Sequence, residues 1–324
     1  MSTTDAATSN SLQAKSRRAQ RTPLHKILRR DARMNWSLYL LVLPVVAFYI
    51  IFHYVPLFGA QIAFREFTPA EGITGSPWVG LDHFERFFRR SDWVRLVGNT
   101  FMISFYELIF AFPAPIILAL LLNELHSQKF KRTIQTISYL PHFISLVVVI
   151  GMVKDFTATQ GLFNDLVEFF GGRRVNMLQR PELFRPIYVI SGIWQGIGWG
   201  SIIYIAALAG IDAELYEAAS IDGAGRFRRM LNITLPRIAP TIIIMLILRL
   251  GQMFSVGYEK IILLYNPATY RTGDVISSYV YRVGLLDRSY SYSTAVGLMN
   301  SAVNFFFVYA ANRISRRVTE TSLW

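Results

Sequence analysis

The sequence contains no cysteine among its 324 residues, and only 17% of those residues are charged. Without cysteine the chain can form neither disulfides nor thiolate metal sites. The charged fraction is well below the roughly 25% that is usual for globular domains. Together with an apolar fraction of 52%, this composition argues against a soluble fold.

Sequence signatures of catalysis and nucleotide binding are also missing. There is no G-x-x-x-x-G-K-[ST] phosphate-binding loop, no H-E-x-x-H metal motif and no G-x-S-x-G nucleophile turn. Residues 222–225 are rich in glycine, but no predicted strand precedes them, as a dinucleotide site requires. We therefore expect this chain to have no catalytic residues, no metal site and no cofactor of its own.

Long apolar runs are what the sequence has instead. A helix needs about 20 residues to cross the hydrocarbon core of a bilayer. Proline and glycine inside such a run are tolerated, because neighbouring helices satisfy the freed backbone groups. The predicted spans are residues 36–58, 96–122, 134–153, 186–210, 238–264 and 294–311. The sequence thus predicts an all-α integral membrane protein with six transmembrane helices in a lipid bilayer, and a permease domain over residues 36–324.

The N-terminal tail, residues 1–35, is polar and basic. Thr22 and Pro23 form a helix start signal, and apolar residues follow at helical spacing among lysines and arginines. This pattern is typical of a short amphipathic helix on an anionic membrane surface. A basic tail without fixed structure fits the same residues equally well.

Basic residues are unevenly distributed over the connecting segments. Six spans place both termini on one side of the membrane, together with loops 124–133 and 211–237. The segments on that side contain 18 basic and 8 acidic residues, a net charge of +10, whereas the opposite loops carry a net +2. The positive-inside rule predicts that both termini and these two loops are cytoplasmic. Membrane topology therefore accounts for the overall charge of +12, and we expect no nucleic-acid partner.

The loop at residues 211–237, called the EAA loop below, contains a spaced pattern. It reads E-A-A from Glu217, then G at Gly223 after three residues, then I-x-L-P ending at Pro236 after nine more. Every fixed position resembles the E-A-A-x3-G-x9-I-x-L-P pattern of ABC importer permeases. The resemblance implies the type I importer permease fold, with a cytoplasmic helix here that docks on a separate ATPase subunit.

The residue types in the EAA loop suit such a contact. Alanines let a partner surface approach the backbone closely, while Gly223 and Gly225 permit the left-handed conformation that ends a helix. Asp212 is a candidate helix cap. An ordinary chain-reversing loop is the alternative interpretation. The residues expected to couple to the ATPase are Glu217, Ala218, Ala219, Asp222, Gly223, Ala224 and Arg226.

Further segments resemble the oligosaccharide- and polysaccharide-importing branch of this family, and permeases of alginate importers in particular. These segments are residues 78–84, 139–145, 263–267 and 290–298. The resemblance implies a permease of the bacterial inner membrane that forms half of a path for an oligo- or polysaccharide, acidic in the alginate case. It also implies alternating access, a second homologous permease, two copies of an ATPase that bind ATP and Mg²⁺, and an extracytoplasmic solute-binding protein.

Polar side chains inside the spans are the candidates for the substrate path. Arg249 is the boldest, with Gln252 on the same helix face. An unpaired arginine at mid-membrane costs at least about 2.5 kcal/mol, so Arg249 should face a water-filled cavity, a carboxylate or a partner chain. A sugar carboxylate and a structural ion pair with Glu107 are both open interpretations.

The fourth and sixth spans supply the remaining candidates. Trp194, Gln195 and Trp199 provide aromatic faces for sugar rings and an amide for hydroxyls, although packing explains the tryptophans equally well. Asn300 in the sixth span is a candidate that inter-helix hydrogen bonding would also explain.

Other transporter classes remain as alternatives. A secondary transporter or channel would also show six spans with buried charges, but it leaves the EAA pattern unexplained. A permease for another oligosaccharide fits the same motifs.

Overall fold

The computed structural model describes residues 33–318. The predicted amphipathic helix of the N-terminal tail begins outside these residues, as does the segment after Val318. Within residues 33–318 the regular structure is helical, apart from one isolated antiparallel bridge between Arg65 and Trp78. The all-α fold predicted from composition is confirmed.

Six helical stretches are long and apolar enough to cross a membrane, as the sequence predicts. Numbered span 1 to span 6, they are Trp36–Phe64, Trp93–Asn123, Leu146–Phe169, Pro181–Ala209, Arg226–Leu250 and Tyr290–Arg317. Shorter helices lie between them. The main ones are Asp82–Arg89, Gln128–Tyr139, Ala213–Ile221, Tyr258–Leu264, Tyr270–Gly273 and Ile276–Tyr281.

Of the described residues, 33–59 and 60–318 belong to separate compact units. The first unit contains the helix Trp36–Tyr49 and the π-helical turn Ile50–Tyr54. Proline follows this turn at Pro56. A wider π turn fits here, because proline has no N–H to continue the regular hydrogen-bond ladder.

In the second unit, span 4 packs against spans 2 and 5. Its side chains Tyr204 and Leu208 are buried with Ile116 of span 2 and Ile238 of span 5. Gly198 marks a closer approach on another face of span 4, where an added Cβ would collide with the Ser138 carbonyl oxygen. Small residues permit this kind of backbone contact between membrane helices.

The segment between spans 5 and 6 is fixed to spans 2 and 4 by buried polar side chains. Asp274 is fully buried and pairs with Arg282 at 2.8 Å. Asn99 donates to the Asp274 carbonyl at 2.9 Å and accepts from Arg185 at 2.8 Å. Burial disfavours the charged Arg282 guanidinium, but its hydrogen bond to Asp274 and the carboxylate charge outweigh this and raise the Arg282 pKa. A fully buried carboxylate requires such partners.

The third spanning stretch begins later than its predicted start. The residues predicted as span 134–153 contain a break, with a short 3₁₀ turn at Leu140–Phe143 and extended backbone at Ile144. Pro141 lies in this turn and has no N–H to donate. Ser145 then caps the helix that starts at Leu146 by accepting from the Val148 N–H. The helix before the break, Gln128–Tyr139, is largely polar, whereas the helix after it, Leu146–Thr157, begins with an apolar run.

The fifth span also differs from its predicted bounds of 238–264. It ends at Leu250, and the chain turns before the separate helix Tyr258–Leu264. At its other end it continues back through the π turn Met230–Thr234. Pro236 sits just after that turn, so the wider turn accommodates the missing N–H.

Candidate functional site: a charged cavity and the EAA loop

A cavity of about 760 Å³ lies among spans 2, 4 and 5. Its polar lining includes Glu107, Arg249 and Gln252, and Trp199 adds an aromatic face. Gly192, Gly196 and Gly200 line it from one face of span 4, and at Gly196 an added Cβ would find open space. The rest of the wall is mainly aliphatic. We call this space the central cavity.

The Arg249 side chain pairs with Glu107 across the central cavity wall. The Arg249 Nη2 to Glu107 Oε2 distance is 2.6 Å, and both side chains remain partly exposed. Glu107 begins the π-helical turn Glu107–Ala111, in which the Phe112 N–H bonds to the Glu107 carbonyl at 2.9 Å. A π-helical turn changes the direction in which the side chains point, and such turns are frequent at functional sites. The ion pair that the sequence left open as one interpretation is therefore present.

Trp199 lines the central cavity and stacks on His142. The ring centroids are 4.6 Å apart and the rings are nearly parallel. His142 reaches this position from the 3₁₀ turn that interrupts the chain before span 3. Trp194 does not line the cavity and is 43% exposed on another face of span 4.

Two of the three amides predicted for the substrate path, Gln195 and Asn300, bind backbone groups at the two chain breaks. Gln195 donates to the Ile144 carbonyl at 3.4 Å. Asn300 donates to the Phe254 carbonyl at 3.0 Å, just beyond the end of span 5. Broken helices leave such carbonyls without partners, and a membrane interior does not supply water for them. These contacts give both amides a structural role, while contact with substrate stays a prediction.

The EAA loop folds into a helix, a sharp turn and a second helix. The helix Ala213–Ile221 carries Glu217, Ala218 and Ala219, and the chain then turns into Arg226–Arg229. Asp212 occupies the N-cap position with extended backbone, but its side chain makes no capping hydrogen bond. Its predicted capping bond is absent.

Gly223 ends the first helix of the loop in the left-handed conformation, with φ of +73°. The Ala224 N–H bonds to the Ala219 carbonyl at 2.9 Å, and the Gly223 N–H bonds to the Ser220 carbonyl at 3.1 Å. These two bonds form a Schellman cap. Gly225, in contrast, has φ of −65°, so the expectation that both glycines are left-handed is wrong for Gly225.

The exposed surface of the EAA loop is partly apolar. Glu217 and Ala218 are exposed, and Glu217 has no hydrogen-bond or ion-pair partner within residues 33–318. Ile221 is 87% exposed and Phe227 is 69% exposed. Large apolar side chains exposed in a cluster are typical of a protein–protein contact.

The loop is also tied to span 5. The Tyr216 hydroxyl hydrogen-bonds the Thr234 hydroxyl at 3.1 Å, and Thr234 is buried. Asp222 and Ala224 line a shallow cleft of about 330 Å³ beside Arg228. Arg226 starts the second helix and is exposed. All seven predicted coupling residues thus lie on one short helical hairpin.

Among the described residues, no group of three or more histidine, cysteine, aspartate or glutamate side chains could hold a metal ion. Lys260 is a charged neighbour of the central cavity that lies outside the predicted site residues. Its ammonium donates to the Tyr188 carbonyl at 2.7 Å and lies over the Tyr188 ring. In the sequence, the charge of Lys260 within an apolar run was the feature that could have identified it as a site residue.

Comparison with known proteins agrees with these features. A sequence model of the family described as "Binding-protein-dependent transport system inner membrane component" matches residues 88–320. Protein LplB of Bacillus subtilis (strain 168) is 44% identical over 298 residues, covering 92% of each chain. The polygalacturonan/rhamnogalacturonan transport system permease protein YteP of the same organism is 43% identical over 288 residues, covering 89% of this chain and 90% of YteP.

A solved structure is similar over nearly the whole chain. It is the crystal structure of a bacterial alginate ABC transporter in complex with an alginate pentasaccharide-bound periplasmic protein. The matched chain is 43% identical with a TM-score of 0.84, and the match covers 91% of this chain and 99% of that one. The chain described here therefore belongs to the family of inner-membrane components of binding-protein-dependent transport systems, the permeases of ABC importers.

Proposed function

We propose that this permease forms half of the translocation path for an acidic oligo- or polysaccharide. The observation that carries the proposal is an arginine, Arg249, that faces a cavity within the membrane spans. A guanidinium is suited to binding carboxylates. Two similar proteins, a polygalacturonan/rhamnogalacturonan permease and an alginate transporter, are named for acidic polysaccharides, which supports the same class of substrate.

The rest of the importer consists of separate chains. We infer a second homologous permease that completes the path, two ATPase copies that bind ATP and Mg²⁺, and an extracytoplasmic solute-binding protein. The central cavity is only partly enclosed by this chain, which suits a wall completed by another chain. The family description itself names dependence on a binding protein.

The EAA loop is the proposed contact with the ATPase. Its exposed Glu217, Ile221 and Phe227 form a mixed acidic and apolar surface that suits a groove on a partner. The positive-inside rule supports a cytoplasmic location for this loop and for both termini. ATP-driven closure of the ATPases would push the loops together and switch the permeases between inward-open and outward-open states.

The test is a panel of oligosaccharides applied to the reconstituted complex. Each oligouronate is paired with its carboxyl-reduced counterpart, which has the same length and linkages without the charge. We expect the oligouronates to stimulate ATP hydrolysis and uptake. A complex that responds only to neutral oligosaccharides would contradict the acidic substrate, and uptake without a co-purifying ATPase would contradict the importer assembly.

A further inference from the structure

Three charged side chains cluster at the central cavity: Glu107 on span 2, Arg249 on span 5, and Lys260 on the helix Tyr258–Leu264. Glu107 and Arg249 line the cavity directly. The Lys260 ammonium lies behind the cavity wall, where a Cβ added to Gly192 would come within 3.0 Å of it. With one acidic and two basic groups, the cluster has a formal charge of +1.

Arg249 uses only part of its hydrogen-bonding capacity in this structure. Its Nη2 contacts Glu107 Oε2, and its other N–H groups have no partner within residues 33–318. None of these nitrogen atoms is buried without a partner, so they remain accessible on a side chain that lines the cavity. A guanidinium can bind a carboxylate through two parallel hydrogen bonds. Arg249 is therefore placed to accept a second carboxylate.

Lys260 has no carboxylate partner of its own among the described residues. Its ammonium is held by the Tyr188 carbonyl at 2.7 Å and lies 4.4 Å from the centre of the Tyr188 ring. Burial lowers the pKa of Lys260 to about 8, and the negative charge of Glu107 opposes this shift. If Arg249 turned to another anion, Lys260 would remain as the cation that balances the Glu107 charge.

We propose that Glu107 is an internal competitor for the substrate carboxylate at Arg249. In the empty cavity Glu107 occupies the guanidinium. When an acidic sugar arrives, its carboxylate takes over Arg249 and Glu107 is left to Lys260. This inference rests on the proposed function, because it concerns how Arg249 recognises the charge of the proposed acidic substrate. In this role Glu107 keeps Arg249 paired between transport cycles. By competing for Arg249, it also weakens substrate binding.

The test uses Glu107→Gln in the full complex of permeases and ATPases in nanodiscs. Binding of a labelled oligouronate is measured without the binding protein, so that Kd reports the permeases alone. Removing a partly exposed competing carboxylate should lower the Kd roughly threefold. The Kd of the carboxyl-reduced oligosaccharide should not change. The matched control is Glu85→Gln, which removes a carboxylate 2.8 Å from Arg89 on an exposed helix and should leave both Kd values unchanged.

A charge exchange separates substrate selection from simple ion pairing. The variant E107R/R249E exchanges the acid and the base between the two positions. If the pair served only to stabilise the structure, this variant would bind the oligouronate as tightly as the wild type does. We expect normal assembly but roughly tenfold weaker oligouronate binding. The variant E107Q/R249Q removes both charges of the pair and should lose the oligouronate preference in the same way.

The outcomes distinguish this inference from the proposed function. If wild-type complexes prefer oligouronates but Glu107→Gln does not tighten binding, competition by Glu107 is contradicted while acidic transport stands. If E107R/R249E binds the oligouronate with the wild-type Kd, the Glu107–Arg249 pair has only a structural role. If wild-type complexes show no preference for the oligouronate over its reduced form, the acidic substrate itself is contradicted.

Discussion

The EAA loop and the central cavity are built in opposite ways. The loop lies within 27 consecutive residues, 211–237, and its turn depends on neighbours such as Ala219, Gly223 and Ala224. The cavity pairs Glu107 with Arg249, which are 142 residues apart in the chain. Local spacing therefore identifies the loop directly, whereas the cavity exists only after three spans have packed. The same contrast separates the two proposed tasks, with coupling in the loop and selection in the cavity.

Charge reversal in the loop should have the largest effect. Glu217→Lys places a cation where the proposed ATPase contact receives an exposed carboxylate, and like charges across an interface cost several kcal/mol. We expect at least about thirtyfold weaker ATPase association, corresponding to about 2 kcal/mol.

Measured ATPase co-purification and substrate-stimulated hydrolysis check this result. Glu214→Lys is the control, because it makes the same change in the first turn of the same helix outside the motif. Equal loss of ATPase co-purification and stimulated hydrolysis in both variants would show that the loop responds to any charge reversal. Glu217 would then have no specific role in the ATPase contact.

In the cavity, Trp199→Ala should weaken the binding of acidic and neutral oligosaccharides alike. Aromatic stacking is worth up to about 1.5 kcal/mol, or about tenfold in Kd, and it does not depend on the substrate charge. The Kd values of an oligouronate and its carboxyl-reduced form check this expectation. Trp194→Ala is the control on the same span, since Trp194 does not line the cavity. Equal effects of the two substitutions would argue that Trp199 acts only in packing.

The smallest of the three effects concerns the turn of the loop. Gly223→Ala adds a side chain at positive φ, which costs about 1 kcal/mol, so we expect roughly fivefold weaker ATPase association. Gly225→Ala is the matched control, because Gly225 has an ordinary φ and open space around its Cα. Similar losses at both positions would contradict the importance of the left-handed turn.

The sequence predicted most of what depends on local pattern. The six spans follow from apolar runs, and the helical hairpin follows from the spacing of Glu217, Gly223 and Pro236. The interruptions around Pro141 and after Leu250 lie where apolar residues alternate with polar ones and with proline or glycine, so hydropathy averaged over the run does not locate them. Each interruption depends on an amide from a distant helix, Gln195 or Asn300, to satisfy a carbonyl.

The cavity was predictable only in part. An arginine in an apolar span demands a partner or water, which identified Arg249 and pointed to Glu107. Which face of span 4 lines the cavity depends on how that helix is rotated, so Trp199 could not be separated from Trp194. Lys260 lies inside the predicted span 238–264, but the break after Leu250 changes the helix face on which it lies, so its position beside the cavity could not be predicted.

The most direct test compares binding and hydrolysis in two variants of the complete complex. The ratio of Kd for the oligouronate and its carboxyl-reduced form measures selection, and stimulated ATP hydrolysis measures coupling. Glu217→Lys should abolish stimulated hydrolysis and leave the Kd ratio unchanged, whereas E107Q/R249Q should remove the preference and leave basal hydrolysis intact. An altered Kd ratio in Glu217→Lys, or an unchanged ratio in E107Q/R249Q, would contradict the division of tasks between loop and cavity.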